Sequence, residues 1–152
     1  MAIPQQSEKG TTTVKIRVRV GKSRIHGKGV FAAEPITQGT RILEYTGERI
    51  AKEEATRRII QGNTYIFYFD ASYDIDGSTR QNRARYINHS CDPNCETDMK
   101  DGGIWIITLR DITVGEELSY DYGYELVGYE KRPCRCGARN CWGISSIKST
   151  GD

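Results

Sequence analysis

A chain of 152 residues, 37% hydrophobic and 28% charged, is long enough to bury one core and has the composition of one compact domain. Its formal net charge of +2 comes from 22 basic and 20 acidic residues spread along the chain, so no basic block favours direct binding of nucleic acid. The longest strongly apolar run is residues 104–107, and the start MAIPQQSEKG has no apolar core of signal-peptide type, so no membrane partner is expected and the chain reads as soluble and intracellular.

Residues 1–12 are polar and read as a flexible N-terminal segment, with the fold expected to start near Thr13. From there Val14, Ile16, Val18 and Val20 alternate with Lys15, Arg17 and Arg19, the period of a half-buried strand. Gly27, Gly29, Gly39 and Gly47 punctuate short apolar pieces at residues 30–33 and 41–45, predicting short strands joined by turns. One helix is expected, over residues 51–61 (AKEEATRRIIQ). Helix formers dominate it, Glu53 and Glu54 stand four residues ahead of Arg57 and Arg58, and Gly62-Asn63 supplies a stop. Strands are expected at residues 64–69 (TYIFYF), which are aromatic and β-rich, and at residues 104–109 around Trp105. No repeat or low-complexity tract interrupts this pattern, and the chain changes character only at a Cys-rich tail from Cys134. The expected fold class is mostly β with minor α.

Five Cys, four of them close to a partner, suit metal ligation in a reducing compartment better than a disulfide framework. Cys134, Cys136 and Cys141 have C-x-C-x4-C spacing and can share one zinc, but a structural zinc takes four ligands. The fourth is expected from the loop RARYINHSCDPNC, residues 83–95, where Cys91, Cys95 and His89 are candidates. A nucleophile made of Cys91 or Ser90 with His89 as base is the weaker reading, because sequence neighbours rarely face one another. The run His26-Gly27-Lys28-Gly29 allows close backbone approach to a ligand but lacks the rest of a dinucleotide fingerprint or a P-loop. Nine tyrosines complete the inventory. Tyr120, Tyr122 and Tyr124 would share one face of a strand, as a slot for an alkylammonium chain or as an aromatic ladder of the core.

In order, the segments RIHGKGVFA, YIF, RYINHSCDPNC, GEELSYDYG and CRCGARNC resemble the SET-domain protein lysine methyltransferases with a post-SET zinc-binding module, over residues 14–143. The resemblance implies a SET-domain fold of small sheets with a knot-like C-terminal segment, the NHSC stretch and the segment ending in YDYG threading past each other. It implies a SET domain over residues 13–124 and a post-SET zinc module and tail over residues 125–152. The implied cofactor is S-adenosylmethionine, held by His26, Gly27, Lys28, Gly29, Tyr65, Asn88, His89, Tyr122 and Arg135, with Trp142 or Ile144 as further contributors. The implied catalytic residues are Tyr122, Tyr65 and Tyr120, and the implied ligands of one structural Zn2+ are Cys91, Cys134, Cys136 and Cys141, leaving Cys95 a bystander.

The implied reaction is methyl transfer to a lysine of a histone or another protein, in the cytoplasm if the chain is bacterial and on chromatin if histones are its substrates. Such a reaction needs the lysine amine neutral and in line with the methyl carbon and the sulfur, with water kept out. An aromatic channel beside a sulfonium disfavours an ammonium whose reference pKa is about 10.4. Tyr120 stands where the family alternates between Tyr and Phe, which implies mono-methylation as the favoured outcome.

Overall fold

The computed structural model describes residues 15–123, 134 and 136–141. Val14, Tyr124, Arg135, Trp142, Ile144 and the predicted boundary at 124/125 lie outside the described residues. Among the described residues ten short strands form four small sheets, and one α-helix interrupts them. None of the described helices is long and apolar enough to cross a membrane.

Strand β1 (Val18–Lys22) pairs antiparallel with β2 (Lys28–Ala32). The predicted strand therefore starts later and ends later than residues 14–20. Val18 is buried while Val20 is exposed, because β1 has a neighbour on one side only and its outer end runs past the core. The turn between them is closed by Ser23 N–H donating to Gly27 O at 2.8 Å, with Gly27 at φ 48°, a conformation glycine adopts without Cβ strain.

A second sheet has the order β4 (Glu48–Ala51), β6 (Tyr73–Asp76), β5 (Ile66–Tyr68). The helix α1 (Lys52–Ile60) follows β4 directly. Of the two predicted four-residue ion pairs only Glu54–Arg58 forms, at 2.7 Å; Arg57 turns to Glu54 at i,i+3 instead of Glu53. The helix ends as expected, with Asn63 N–H donating to Arg58 O and Gly62 at φ 99°. Strand β5 is shorter than TYIFYF because its flanks are tied into turns. Asn63 Oδ1 accepts from Tyr65 N–H at 2.9 Å, and Asp70 Oδ1 accepts from the N–H groups of Ser72 and Tyr73 at 2.8 and 2.7 Å.

The third sheet has the order β3 (Arg41–Glu44), β9 (Trp105–Thr108), β8 (Cys95–Asp98). Strand β9 lies within the expected residues 104–109, with Ile106 and Thr108 buried and Trp105 and Ile107 half-buried. The last sheet is a parallel pair, β7 (Asn88–His89) with β10 (Ser119–Tyr120), in which Asn88 faces Ser119 and His89 faces Tyr120. The two segments expected to thread past each other thus lie side by side. Fully buried Ile87 and Leu118, one just before each strand, root both in a core shared with Val30, Ile36, Ile104, Ile106 and Ile112. Such side chains contribute roughly 1.5–3 kcal/mol each on burial, so the parallel pair is held by its flanking anchors more than by its few ladder bonds. The expected Tyr120–Tyr122–Tyr124 strand is cut short: β10 ends at Tyr120, and Tyr122 lies beyond it.

Candidate active site and metal centre

Asn88 closes the His26–Gly29 loop against the C-terminal half of the domain. Its Nδ2 lies 3.1 Å from His26 O, 2.9 Å from Lys28 O, 3.1 Å from Ser23 Oγ and 3.0 Å from Glu117 Oε1. Ser23 Oγ in turn donates to Glu117 Oε1 at 2.7 Å and accepts from Ile25 N–H at 2.9 Å. A Cβ on Gly29 would lie 2.3 Å from Glu117 Oε1, so only glycine permits this approach. The loop and Asn88 are brought together as expected, through the carbonyls of His26 and Lys28. Ser23 and Glu117 are additions, and Glu117 is hard to single out from sequence because Glu116 beside it pairs instead with Arg110 and Asn94.

Beside this loop is a cationic corner. Lys28 Nζ sits 5.4 Å over the Tyr86 ring, and the Arg85 guanidinium sits 4.5 Å over Tyr86 and 5.2 Å over Tyr65. Arg85 donates to Tyr86 Oη and, at 2.5 Å, to Ser78 O. The Arg85 hydrogen bond draws the Tyr86 phenol below its usual range, against a smaller opposing effect of burial. Arg85 Nε is buried without a hydrogen-bond partner. An unsatisfied guanidinium N–H costs about 1–3 kcal/mol. Arg85, the first residue of RYINHSCDPNC, is not among the expected site residues, and the structure sets its guanidinium beside Lys28 over the Tyr86 ring.

An aromatic run leads through the domain to Tyr122. Tyr45 and Phe67 have ring centroids 5.0 Å apart, Phe67 and Tyr120 6.2 Å, and Tyr120 and Tyr122 4.6 Å. Tyr45 donates its hydroxyl to Tyr65 O at 2.8 Å, and burial, with the nearby charge of Asp76, holds its phenol above the usual range. Tyr45 and Phe67 thus join the expected Tyr120 and Tyr122, while the Tyr65 ring lies under Arg85 rather than in this run. Tyr122 Oη donates to Ile87 O, which turns its lone pairs outward; its backbone N–H donates to His89 Nδ1 at 3.0 Å. Tyr120 is buried and Tyr122 is 37% exposed, so the run goes from core to surface.

His89 also faces the cysteines. Its Nε2 lies 3.3 Å from Cys91 Sγ, Cys91 Sγ lies 3.9 Å from Cys134 Sγ, and Cys91 N–H donates to Cys136 Sγ at 3.4 Å. The ligand atoms of His89, Cys91, Cys134 and Cys136 all lie within 4.8 Å of one another. Cys141 is buried beside them, its thiol donating to Cys134 O at 3.3 Å. Burial raises the Cys136 thiol, but hydrogen bonds, led by the N–H of Cys91, outweigh it and bring it down to about 7. Burial pushes Cys134 up, reinforced by the thiols of Cys141 and Cys136. Clustered soft donors of this kind fit zinc. Cys95 is not among them: it is fully buried on β8 opposite Thr108, and burial raises its thiol to about 12.

A loop tied to an Asn, a parallel pair linking two distant segments and a Cys-rich flap define a known class. Residues 27–123 match the SET domain, and the chain belongs to the SET domain family. It is 42% identical over 145 residues to an H3 lysine-4 specific histone-lysine N-methyltransferase of Eremothecium gossypii, covering 88% of this chain and 15% of that protein. It is 40% identical over 140 residues to histone-lysine N-methyltransferase 2D of Homo sapiens, covering 86% of this chain and 2% of that protein. Thus the chain spans 15% or less of the length of these relatives. Among solved structures it is similar to a humanized mutant of the Chaetomium thermophilum Polycomb Repressive Complex 2 bound to the inhibitor GSK126. The TM-score is 0.65 and the identity 34%, covering 72% of this chain and 15% of that one.

Proposed function

We propose that this chain is an S-adenosylmethionine-dependent protein-lysine N-methyltransferase, acting on a lysine of a histone or another protein. The observation that carries the reading is the meeting of the aromatic run with the Asn88-bound loop: Tyr122 packs tilted against Tyr120 at one side and is tied to β7, which bears Asn88 and His89, at the other. Relatives named for histone H3 lysine 4 and for histone lysine make the H3 tail the first substrate to try and chromatin the first place to look.

S-adenosylmethionine, when bound, supplies an electrophilic methyl group on a sulfonium. His26 to Gly29, Asn88 and His89 would hold it, and the cationic side chains of Lys28 and Arg85 beside that loop would suit its carboxylate. Tyr45, Phe67 and Tyr120 wall the path of the lysine side chain, packing its methylene stem and disfavouring its ammonium form by desolvation. The Tyr122 O–H donates a hydrogen bond to Ile87 O, which leaves the oxygen's lone pairs to accept hydrogen bonds from an incoming amine and weak C–H contacts from a methyl group. That makes Tyr122 an orienting group and leaves the substrate lysine as the nucleophile. The Tyr120 hydroxyl limits room around a methylated amine and favours mono-methylation. Cys91, Cys134, Cys136 and Cys141 would hold one structural Zn2+, which would tie the tail to the body.

Zinc-loaded chain incubated with a labelled methyl donor and an H3 peptide tests the reading. Label on lysine is expected, falling on the order of 100-fold in Tyr122→Phe at unchanged zinc content. No transfer to H3 or to pooled histones and lysate, with zinc retained, would leave a lysine-binding module instead of an enzyme.

A further inference from the structure

We propose that the exposed face of the β1–β2 strand pair docks on the phosphate backbone of duplex DNA, which Lys15, Arg17, Arg19 and Lys22 meet in a row. Near-balanced totals, from which no nucleic-acid contact is expected, conceal an uneven start: residues 9–33 hold seven of the 22 basic residues and none of the 20 acidic ones. The remainder of the chain is therefore net acidic. Folding turns this excess to one side. Exposure alternates from residue 15 to 19, with Lys15, Arg17 and Arg19 exposed, Ile16 half-buried and Val18 buried. Side chains two apart on an extended strand stand about 7 Å from one another, so the charges form a line instead of a point. Strand β1 has β2 as its one ladder partner among the described residues, and Arg83 brings a further cation to it by donating to Val18 O at 2.5 Å.

Two features fit this line to an anion. The Arg19 guanidinium sits 4.5 Å over the ring of Phe31, its cross-strand partner, and passes Gly21, where a Cβ would lie 2.8 Å from Nη1. Ring and glycine thus hold the charge in place at the surface. At the other end Lys22 stands directly opposite Lys28, and like charges so placed destabilise a strand pair until an anion offsets them. Nearby carboxylates do little to neutralise the row. Among the described residues Glu34 pairs with Arg17 at 2.7 Å and leaves it 74% exposed, while Glu117 is taken up by Ser23 and Asn88.

A straight row of cations suits a linear polyanion. A membrane surface would ask for apolar groups to insert, yet Val20 is the one large exposed apolar residue of the pair, and Arg19 covers Phe31. The choice of duplex DNA among polyphosphates rests on the methyltransferase reading above, because a histone lysine is presented beside DNA; the basic row itself does not.

The zinc-loaded chain titrated into a labelled DNA duplex at rising salt tests the proposal. Four phosphate contacts predict that affinity falls on the order of 100-fold between about 50 and 200 mM salt. Lys15→Gln/Arg19→Gln/Lys22→Gln, which leaves the Arg17–Glu34 pair in place, should bind more weakly at the lower salt and fall only about 3- to 4-fold over the same range. Methylation of a free H3 peptide should be unchanged in this triple variant. Should it not fold, the three single variants serve, each lowering the logarithmic salt slope by about 1. Arg57→Gln, on α1, should bind as the wild type does. The proposal is overturned by a wild type without salt-dependent binding to the duplex, by the same slope in wild type and basic-row variants, or by an equal loss in Arg57→Gln. Tighter binding to polyglutamate, single-stranded RNA or anionic vesicles than to the duplex would also overturn it. The titration needs no turnover, so a wild type that binds the duplex as expected and methylates nothing overturns the activity alone.

Discussion

Replacing Asp76 by Asn removes one charge from the joint between α1 and the sheet that carries Phe67. Asp76 is 4% exposed; Arg58 donates to its Oδ2 at 2.7 Å, Asn63 Nδ2 at 3.0 Å, and Ser78 N–H to its Oδ1 at 3.0 Å. Burial opposes the charge, but these bonds, led by Arg58, prevail and lower the carboxylate from 3.8 to about 2. At roughly 1.4 kcal/mol per pH unit this is about 2 kcal/mol of stability at neutral pH. The loss stays below the ~3–5 kcal/mol of a broken buried pair, because Arg58 keeps Glu48 at 2.8 Å and Glu54 at 2.7 Å. A carboxylate depressed on folding stabilises fully above its unfolded pKa of 3.8 and loses that effect as pH falls through about 2. Urea unfolding should therefore show wild type ahead of Asp76→Asn by about 2 kcal/mol at pH 7, with about half of the gap left near pH 3. A gap below about 0.5 kcal/mol at pH 7, or one that stays constant down to pH 3, would refute the reasoning. Since Asp76 pairs with Ile66 at the start of β5, the variant should also raise KM for the lysine peptide more than KM for the methyl donor.

Removing the Tyr120 hydroxyl enlarges the buried end of the aromatic run without disturbing its packing, so Tyr120→Phe should shift product from mono- toward di- or tri-methyl lysine. Mass spectrometry of the methylated peptide reads this directly, and unchanged multiplicity would remove Tyr120 as its determinant. The two loop cysteines should behave oppositely. Cys91→Ala is expected to lose zinc, measured by elemental analysis, and to loosen the tail. Cys95→Ala should keep one zinc per chain and lower only stability, by about 1–2 kcal/mol in a urea titration.

Much of this site is legible along the chain because its chemistry comes in contiguous runs. HGKG, NHS and GEELSYDYG each set a local shape by glycine turns and β alternation, and the CRCGARNC spacing sets thiols within reach of one ion. The helix was legible for the same reason: helix formers, ion pairs and a Gly-Asn stop all lie within one short segment. Strand lengths were less so, since the Asn63 and Asp70 side chains capture backbone N–H groups that alternation alone assigns to the ladder.

The order of residues already contains the set of parts: a mostly β chain, a glycine loop, an Asn-His step, a tyrosine-rich segment and closely spaced thiols. Tertiary structure alone decided how they meet. Cys91 and Cys95 are both Cys in one loop, yet pairing on β8 commits Cys95 to the core and leaves Cys91 facing the tail. Phe67 and Glu117 stand inside segments that carry the resemblance and Tyr45 outside them, but only the fold brings them to Tyr120 and Asn88, through β5, β3 and β10. His89 shows the limit most sharply. Its spacing to the cysteines makes it a candidate ligand, and the structure adds that its Nδ1 accepts the backbone N–H of Tyr122, 33 positions away, a contact no local pattern encodes.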